Sequence, residues 1–233
     1  LENRYIRGDI EGLKLDEDGN VIAGAKFGLF KPGTTEFTEE TAVLVTESDS
    51  EGKFRFEDIR FGKWIVRELV PATGYVLNET PIEVNIQTEG EIINISFENK
   101  FIRSDIKGYK VDEDGKPVEG ALFGLFTETD TEFTEENAVL TAKSDADGIF
   151  FFDDIRFGKW IAKELAPAEG FVANDTVFPI DVTTDGAVIE INAENRHIYG
   201  MVHTTKVDKD YPDNLLAGAI FEIYMDVDGN KEF

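Results

Sequence analysis

The sequence predicts an all-β protein built from tandem Ig-like β-sandwich modules. Three observations carry that prediction. The chain repeats itself at a constant offset of 96 residues. Short runs of Ile, Val, Phe and Trp alternate with turn clusters such as "DEDG", "SEGK" and "DADG". No segment sustains helical periodicity.

The repeat comes first, because a missed repeat misassigns the whole fold. "KLDEDGNVIAGAKFGLF" from Lys14 matches "KVDEDGKPVEGALFGLF" from Lys110. "TEFTEE" occurs at Thr35 and Thr131, and "DIRFGKWI" at Asp58 and Asp154. Modules of about a hundred residues are of ordinary domain size. The offset also runs past both ends: it maps Asn99 back onto Asn3 and Lys110 forward onto Lys206. The expected organisation is therefore residues 1–4 as the end of a preceding module, 5–100 and 101–196 as two complete modules, and 197–233 as the first part of a truncated third. The first loop of that third piece is two residues longer than its counterparts. "LENRYIRGDI" then reads as a junction of the same kind as "FENKFIRSDI" and "AENRHIYGMV".

The turn clusters come second. Asp-Gly pairs suit tight hairpins, where glycine supplies the positive φ. Seven or so short strands in under a hundred residues suggest a β-sandwich. One departure from strand character is expected. In "FTEENA" and its twin, Thr134 or Thr38 could cap a short helix with two glutamates in its first turn, packing Phe37 and Phe133 onto the sheet. About four residues bridge Asn99 and the next first strand, with no Pro-rich or Gly/Ser-rich linker, so the modules are expected to stack end to end.

Bulk properties remove several function classes. The formal charge is −25, with 48 acidic and 23 basic side chains. Such a surface repels phosphate, which argues against nucleic acid or an anionic membrane as partner. There is no cysteine, so disulfides and thiolate metal sites are excluded. No apolar run is long enough to span a bilayer. "DVDGNKE" at Asp226 has its glycine at the fourth position rather than the sixth that a calcium loop needs, so it reads as a hairpin turn. His197 and His203 have no ligand partners at suitable spacing and no equivalents in the first module. No metal and no cofactor are implied.

Strand phase singles out a few polar residues. In "WIVRE", Trp64, Val66 and Glu68 share one face; in the twin, Trp160, Ala162 and Glu164 do. In "IINISFEN", Ile93, Ile95, Phe97 and Asn99 lie together, as do Ile189, Ile191, Ala193 and Asn195. Alternation thus places one Glu and one Asn per module on an apolar face. The phase of Lys14 is ambiguous, since Ile10 lies in its phase and Leu13 and Leu15 in the other. An inward carboxyl must be neutral or paired, and an inward Asn must find partners. On the residues alone, a Lys14–Glu68 salt bridge with Asn99 bonded to backbone accounts for the pattern as well.

The segments "KLDEDGNVIAGAKFGLF", "VRELVPATGY" and "ISFENK", and their twins "KVDEDGKPVEGALFGLF", "KELAPAEGF" and "INAENR", resemble the signature segments of Cna B-type domains. These are the prealbumin-like sandwich modules of Gram-positive adhesins and sortase-assembled pilins. The resemblance covers nearly the whole chain. It implies a spontaneous isopeptide bond between a first-strand Lys and a last-strand Asn, promoted by an acidic residue of a middle strand. Carried over, the bonds are Lys14–Asn99 with Glu68, and Lys110–Asn195 with Glu164; Asn3 and Lys206 are unpaired equivalents. The chemistry is reasonable: burial favours the neutral amine, and folding supplies proximity. Burial equally favours a protonated Glu, expected to hydrogen-bond the Asn carboxamide oxygen. The reaction consumes its residues, so this is not a turnover enzyme.

The resemblance further implies a cell-wall-anchored, extracellular protein whose partners are neighbouring modules of the same array. The function expected is a stalk or spacer of an adhesin or pilin. The alternative is a module binding a host matrix protein or glycan. The stalk is preferred because the two modules differ mostly at scattered surface positions and neither carries a long insertion.

Overall fold

A computed structural model describes residues 4–224, and divides into two compact units, Leu1–His197 and Ile198–Phe233. Asn3 and the turn expected at Asp226 lie outside the described residues.

The first unit holds two sandwiches in succession, each of seven strands. In the first, β1 (Arg7–Asp16) is the centre of a three-stranded sheet, antiparallel to β4 (Lys53–Arg60) and parallel to β7 (Glu91–Asn99). The facing sheet has the order β3 (Leu44–Glu47), β2 (Lys26–Phe30), β5 (Gly62–Val70), β6 (Ile82–Ile86). The second sandwich repeats both sheets. One is β11 (Ile149–Arg156), β8 (Arg103–Asp112), β14 (Ala187–Asn195); the other is β10 (Leu140–Lys143), β9 (Leu122–Thr127), β12 (Gly158–Ala166), β13 (Val177–Val182). No helix occurs among the described residues, and so none long and apolar enough to cross a membrane.

Burial along β1 alternates strictly, placing Ile10, Gly12, Lys14 and Asp16 inside. That resolves the phase of Lys14: it lies with Ile10, and Leu13 and Leu15 face outward. Each sandwich has its own core. In the first, Phe27 from one sheet stacks on Phe54 from the other at 3.8 Å; in the second, Phe123 stacks on Phe150 at 3.9 Å. The rings fit because the residues beneath them are Gly12 and Gly108, where an added Cβ would stand 2.0 Å from the ring carbons. Trp64 is half-buried against the core, its indole N–H bonded to the Arg60 carbonyl.

The helix expected at "FTEENA" is absent. Thr38 and Thr134 do each start a single turn, with Ala42 N–H reaching the Thr38 carbonyl at 3.1 Å and Ala138 reaching Thr134 at 3.1 Å. The turn stops there because the next amide is captured by the sheet: Val43 bonds the Leu29 carbonyl and Val139 the Leu125 carbonyl, each at 2.8 Å. Sheet pairing outweighs a local cap of about 1 kcal/mol. Phe37 and Phe133 still cover the sheet, edge-on to Phe30 and Phe126.

Residues 100–102 join β7 to β8, and the joint is held on several sides. Phe101 packs on Tyr75, Val76 and Ile102 exchange backbone bonds with Lys100 and Gly74, and Arg103 and Arg156 reach Glu17 and Asp18 of the first sandwich.

In the second unit, Val207 and Leu215 form a β-bridge, and Leu216 N–H bonds the Lys206 carbonyl at 2.9 Å. The same bond joins Ile22 to Lys14 and Val118 to Lys110, so the hairpin loop that opens each sandwich is formed here too, despite its extra length.

Candidate functional site

The register of β1 and β7 sets Lys14 opposite Phe97 and Asp16 opposite Asn99. Both strands turn these residues inward, so Lys14 and Asn99 are diagonal neighbours on one buried face. Glu68 arrives from the opposite sheet, on β5, paired with Phe27 beside an irregularity in the β2–β5 register. The second sandwich repeats every element: Lys110 opposite Ala193, Asp112 opposite Asn195, and Glu164 opposite Phe123 beside the same irregularity. Lys14, Glu68 and Asn99, and likewise Lys110, Glu164 and Asn195, are all buried.

Lys14 Nζ lies 3.5 Å from Glu68 Oε1, and Asn99 Nδ2 donates to that same oxygen at 2.9 Å. Lys110 Nζ lies 4.0 Å from Glu164 Oε1, and Asn195 Nδ2 donates to Oε1 at 2.9 Å and Oε2 at 3.1 Å. Lys110 also donates to the carbonyls of Val111 and Ala193, at 3.3 Å each. The carboxamide thus presents its NH2 to the Glu, not its oxygen as expected. The reason is a second donor: the Asn78 N–H fills Glu68 Oε2 at 2.7 Å, and Asn174 fills Glu164 Oε2 at 2.7 Å, so each carboxylate accepts on both oxygens. Lys14 Nζ, Asn99 Oδ1 and Asn195 Oδ1 are buried polar atoms with no hydrogen-bond partner. Orphaned buried polar groups are rare and point to chemistry as readily as to structure. Burial holds the Lys14 and Lys110 amines below their ordinary range, opposed in each case by the charge of the facing Glu.

Asn78 and Asn174 escaped the sequence reading. Their signal was the repeat itself, since "NET" and "NDT" keep Asn and Thr at the 96-residue offset, as the same loop keeps Pro71, Ala72, Gly74 and Val76. Lys206 is exposed in the second unit. His197 pairs with Glu113 and packs on Phe171. No group of three or more His, Asp or Glu able to hold a metal occurs among the described residues. An open groove of about 950 Å³, lined by Glu11, Thr46, Lys53, Arg55 and Asn94, holds none of the buried triad.

The arrangement is chemically specific. A neutralisable amine, a carboxylate and a carboxamide converge in the buried interior, and the carboxylate stands beside both of the other groups. Comparison with known proteins places the fold. The SpaA prealbumin-like fold domain matches residues 8–101 and 104–197. Among solved structures, the chain is similar to the Bacillus anthracis TIE protein, with TM-score 0.71 and 21% identity over 83% of this chain and 34% of that one. It thus spans about a third of that protein's length. It is also similar to the C-terminal fragment of the pilus adhesin SpaC from Lactobacillus rhamnosus GG, with TM-score 0.53 and 13% identity over 86% of this chain and all of that one. Curated sequences offer no match. The two matched segments together cover most of the chain, which belongs to the family of SpaA prealbumin-like fold domains.

Proposed function

We propose that the chain is a load-bearing stretch of a bacterial surface stalk, in which each complete module, 5–100 and 101–196, closes an isopeptide bond on itself. The observation that carries this is the duplicated, fully buried Lys–Glu–Asn triad joining the first strand of each sandwich to its last. The family membership and the likeness to a pilus adhesin fragment support an extracellular, wall-anchored setting among further modules.

The mechanism follows from the contacts. Lys14 passes a proton to Glu68 Oε1, leaving a neutral amine in a site whose burial disfavours the ammonium. Nζ attacks Asn99 Cγ, and the Cγ–Nδ2 bond breaks. Nδ2 already rests on Glu68 Oε1, so the carboxyl delivers the lysine's proton to the departing nitrogen. The lysine ammonium surrenders two protons in all; ammonium leaves, an amide remains, and Glu68 ends as the carboxylate it began. Lys110, Glu164 and Asn195 follow the same course.

The closed loop spans residues 14–99. Treated like a disulfide, a loop of that length constrains the unfolded chain by roughly 4–5 kcal/mol. The larger consequence is mechanical. β1 and β7 run parallel, so a cross-link between them blocks extension of the module when its two ends are pulled apart. The test is the intact mass of the purified chain. Two ammonia molecules are expected to be missing, one of them restored in Glu68→Ala; full mass in the unmodified sequence would sink the reading.

A further inference from the structure

Outside the triad, one residue per module touches its carboxylate without touching the forming bond. Asn78 makes three hydrogen bonds. Its N–H donates to Glu68 Oε2 at 2.7 Å, its side-chain NH2 donates to the Glu98 carbonyl at 2.9 Å, and its Oδ1 accepts from Thr80 N–H at 3.0 Å. Asn174 repeats all three, to Glu164 Oε2 at 2.7 Å, the Glu194 carbonyl at 2.8 Å and Thr176 N–H at 2.8 Å.

We propose that Asn78 and Asn174 are positioning residues for isopeptide formation, an inference that rests on the reading above. Each is a bracket between two sheets. Its amide fixes one oxygen of the Glu, Oε2, and leaves Oε1 toward Lys and Asn, with Asn195 reaching Oε2 as well in the second module. Its side chain grips the residue immediately before the acceptor Asn, at the last turn of β7 or β14, where a strand end would otherwise fray. The Asx turn to the following Thr holds the bracket in shape. The spacing between carboxylate and acceptor is thus set by one residue that bonds to both strands. Reaction by an unactivated amide depends on such placement, because a displacement of 1 Å can cost on the order of a hundredfold in rate. The surroundings support a specific role. Glu79 and Thr80 are exposed, as are Asp175 and Thr176, yet Asn78 and Asn174 are drawn inward, and the residues before them differ, Leu77 in one module and Ala173 in the other.

The two modules serve as each other's control within one chain. Asn78→Ala chain, recovered unfolded and refolded by dilution, is followed by mass spectrometry with peptide mapping. Ammonia loss in the first module is expected to slow about tenfold or more, with the second module unchanged; Asn174→Ala should give the converse. Asn78→Asp, which keeps the turn to Thr80 and the N–H but cannot donate to the Glu98 carbonyl, is expected to be slow as well. The pH at which the first module reacts fastest should also move, since the residue-78 N–H that meets the carboxylate is no longer tied to the Glu98 carbonyl by the side chain. A wild-type rate in either Asn78 variant would overturn the positioning role and leave the bond intact. So would a pH-independent loss that merely follows the folded fraction, measured from amide NMR signals. No ammonia loss in the wild-type chain would instead remove the bond itself.

Discussion

Glu17 of the first sandwich and Arg103 of the second are joined by a 2.7 Å ion pair across the module junction. Arg156 reaches Asp18 beside it at 2.8 Å and lies over the Phe101 ring at 4.3 Å. Arg103 is also bound to Asp154 of its own module, which fixes the guanidinium before it meets Glu17. Three linker residues are thus clamped by charge on one side and by the Tyr75–Phe101 packing on the other.

Cutting that clamp should free the joint without unfolding either module. Arg103→Ala with Arg156→Ala is expected to leave each sandwich's stability within about 1 kcal/mol, since partly exposed pairs contribute 0.2–1 kcal/mol each. Small-angle scattering should show a broader range of intermodule angles. Acid should do the same. The Arg103 hydrogen bond holds the Glu17 carboxyl below its ordinary 4.5. Its contribution is therefore fully present above pH 4.5 and is lost as pH falls through the lower folded value. Residual dipolar couplings recorded on either side of that window check it.

The first module should close its bond before the second. Lys14 makes no hydrogen bond and stands 3.5 Å from Glu68, whereas Lys110 is held by two carbonyls and stands 4.0 Å from Glu164. Peptide mapping during refolding should find the Lys14–Asn99 cross-link accumulating first. Simultaneous closure, or the reverse order, would contradict this.

The reaction should fail in alkali at a pH below the ordinary range of lysine. The reactive state keeps one proton shared between amine and carboxylate, and a pair that has lost it cannot protonate the departing nitrogen. Burial lowers both lysines from 10.5, so the alkaline limb of the rate profile must lie below that value. Refolding across a pH series, with ammonia loss as the readout, tests the sign; a limb at or above 10.5 contradicts it.

Filling the space under the stacked rings should destabilise either core. A Cβ at position 12 or 108 would stand 2.0 Å from Phe54 or Phe150, so the ring must move and its stack on Phe27 or Phe123 must open. Gly12→Ala is expected to cost about 1–3 kcal/mol. Thermal unfolding in a Glu68→Ala background, where no cross-link can form, is the appropriate measurement.

Much of this was legible in the sequence, for reasons that differ by residue. Glu68 and Asn99 could be assigned an inward face because their strands alternate cleanly, and the offset of 96 carried both assignments to Glu164 and Asn195. Lys14 could not be phased, because Leu13 and Leu15 supply as good an apolar face as Ile10. What decides it is that the inner side of β1 faces the opposite sheet, where Phe54 of the neighbouring β4 lays its ring over Gly12 and stacks on Phe27 across the core. "FTEENA" misled because a Thr cap and two glutamates are local signals, while the amide that ends the turn is claimed by a carbonyl more than a dozen residues away.

The sequence by itself determined the architecture: two all-β modules, their repeat, their turn positions and the residue types of the buried triad. Periodicity and repetition are properties of the chain, so they can be read along it. The tertiary structure alone decided which Asn atom faces the Glu, how far each Lys stands from it, that Asn78 and Asn174 bracket the site, and that Glu17 meets Arg103. These depend on distances between segments far apart in the chain; the loop with Asn78 recurs at the 96-residue offset, but its recurrence does not say which strands it folds back upon.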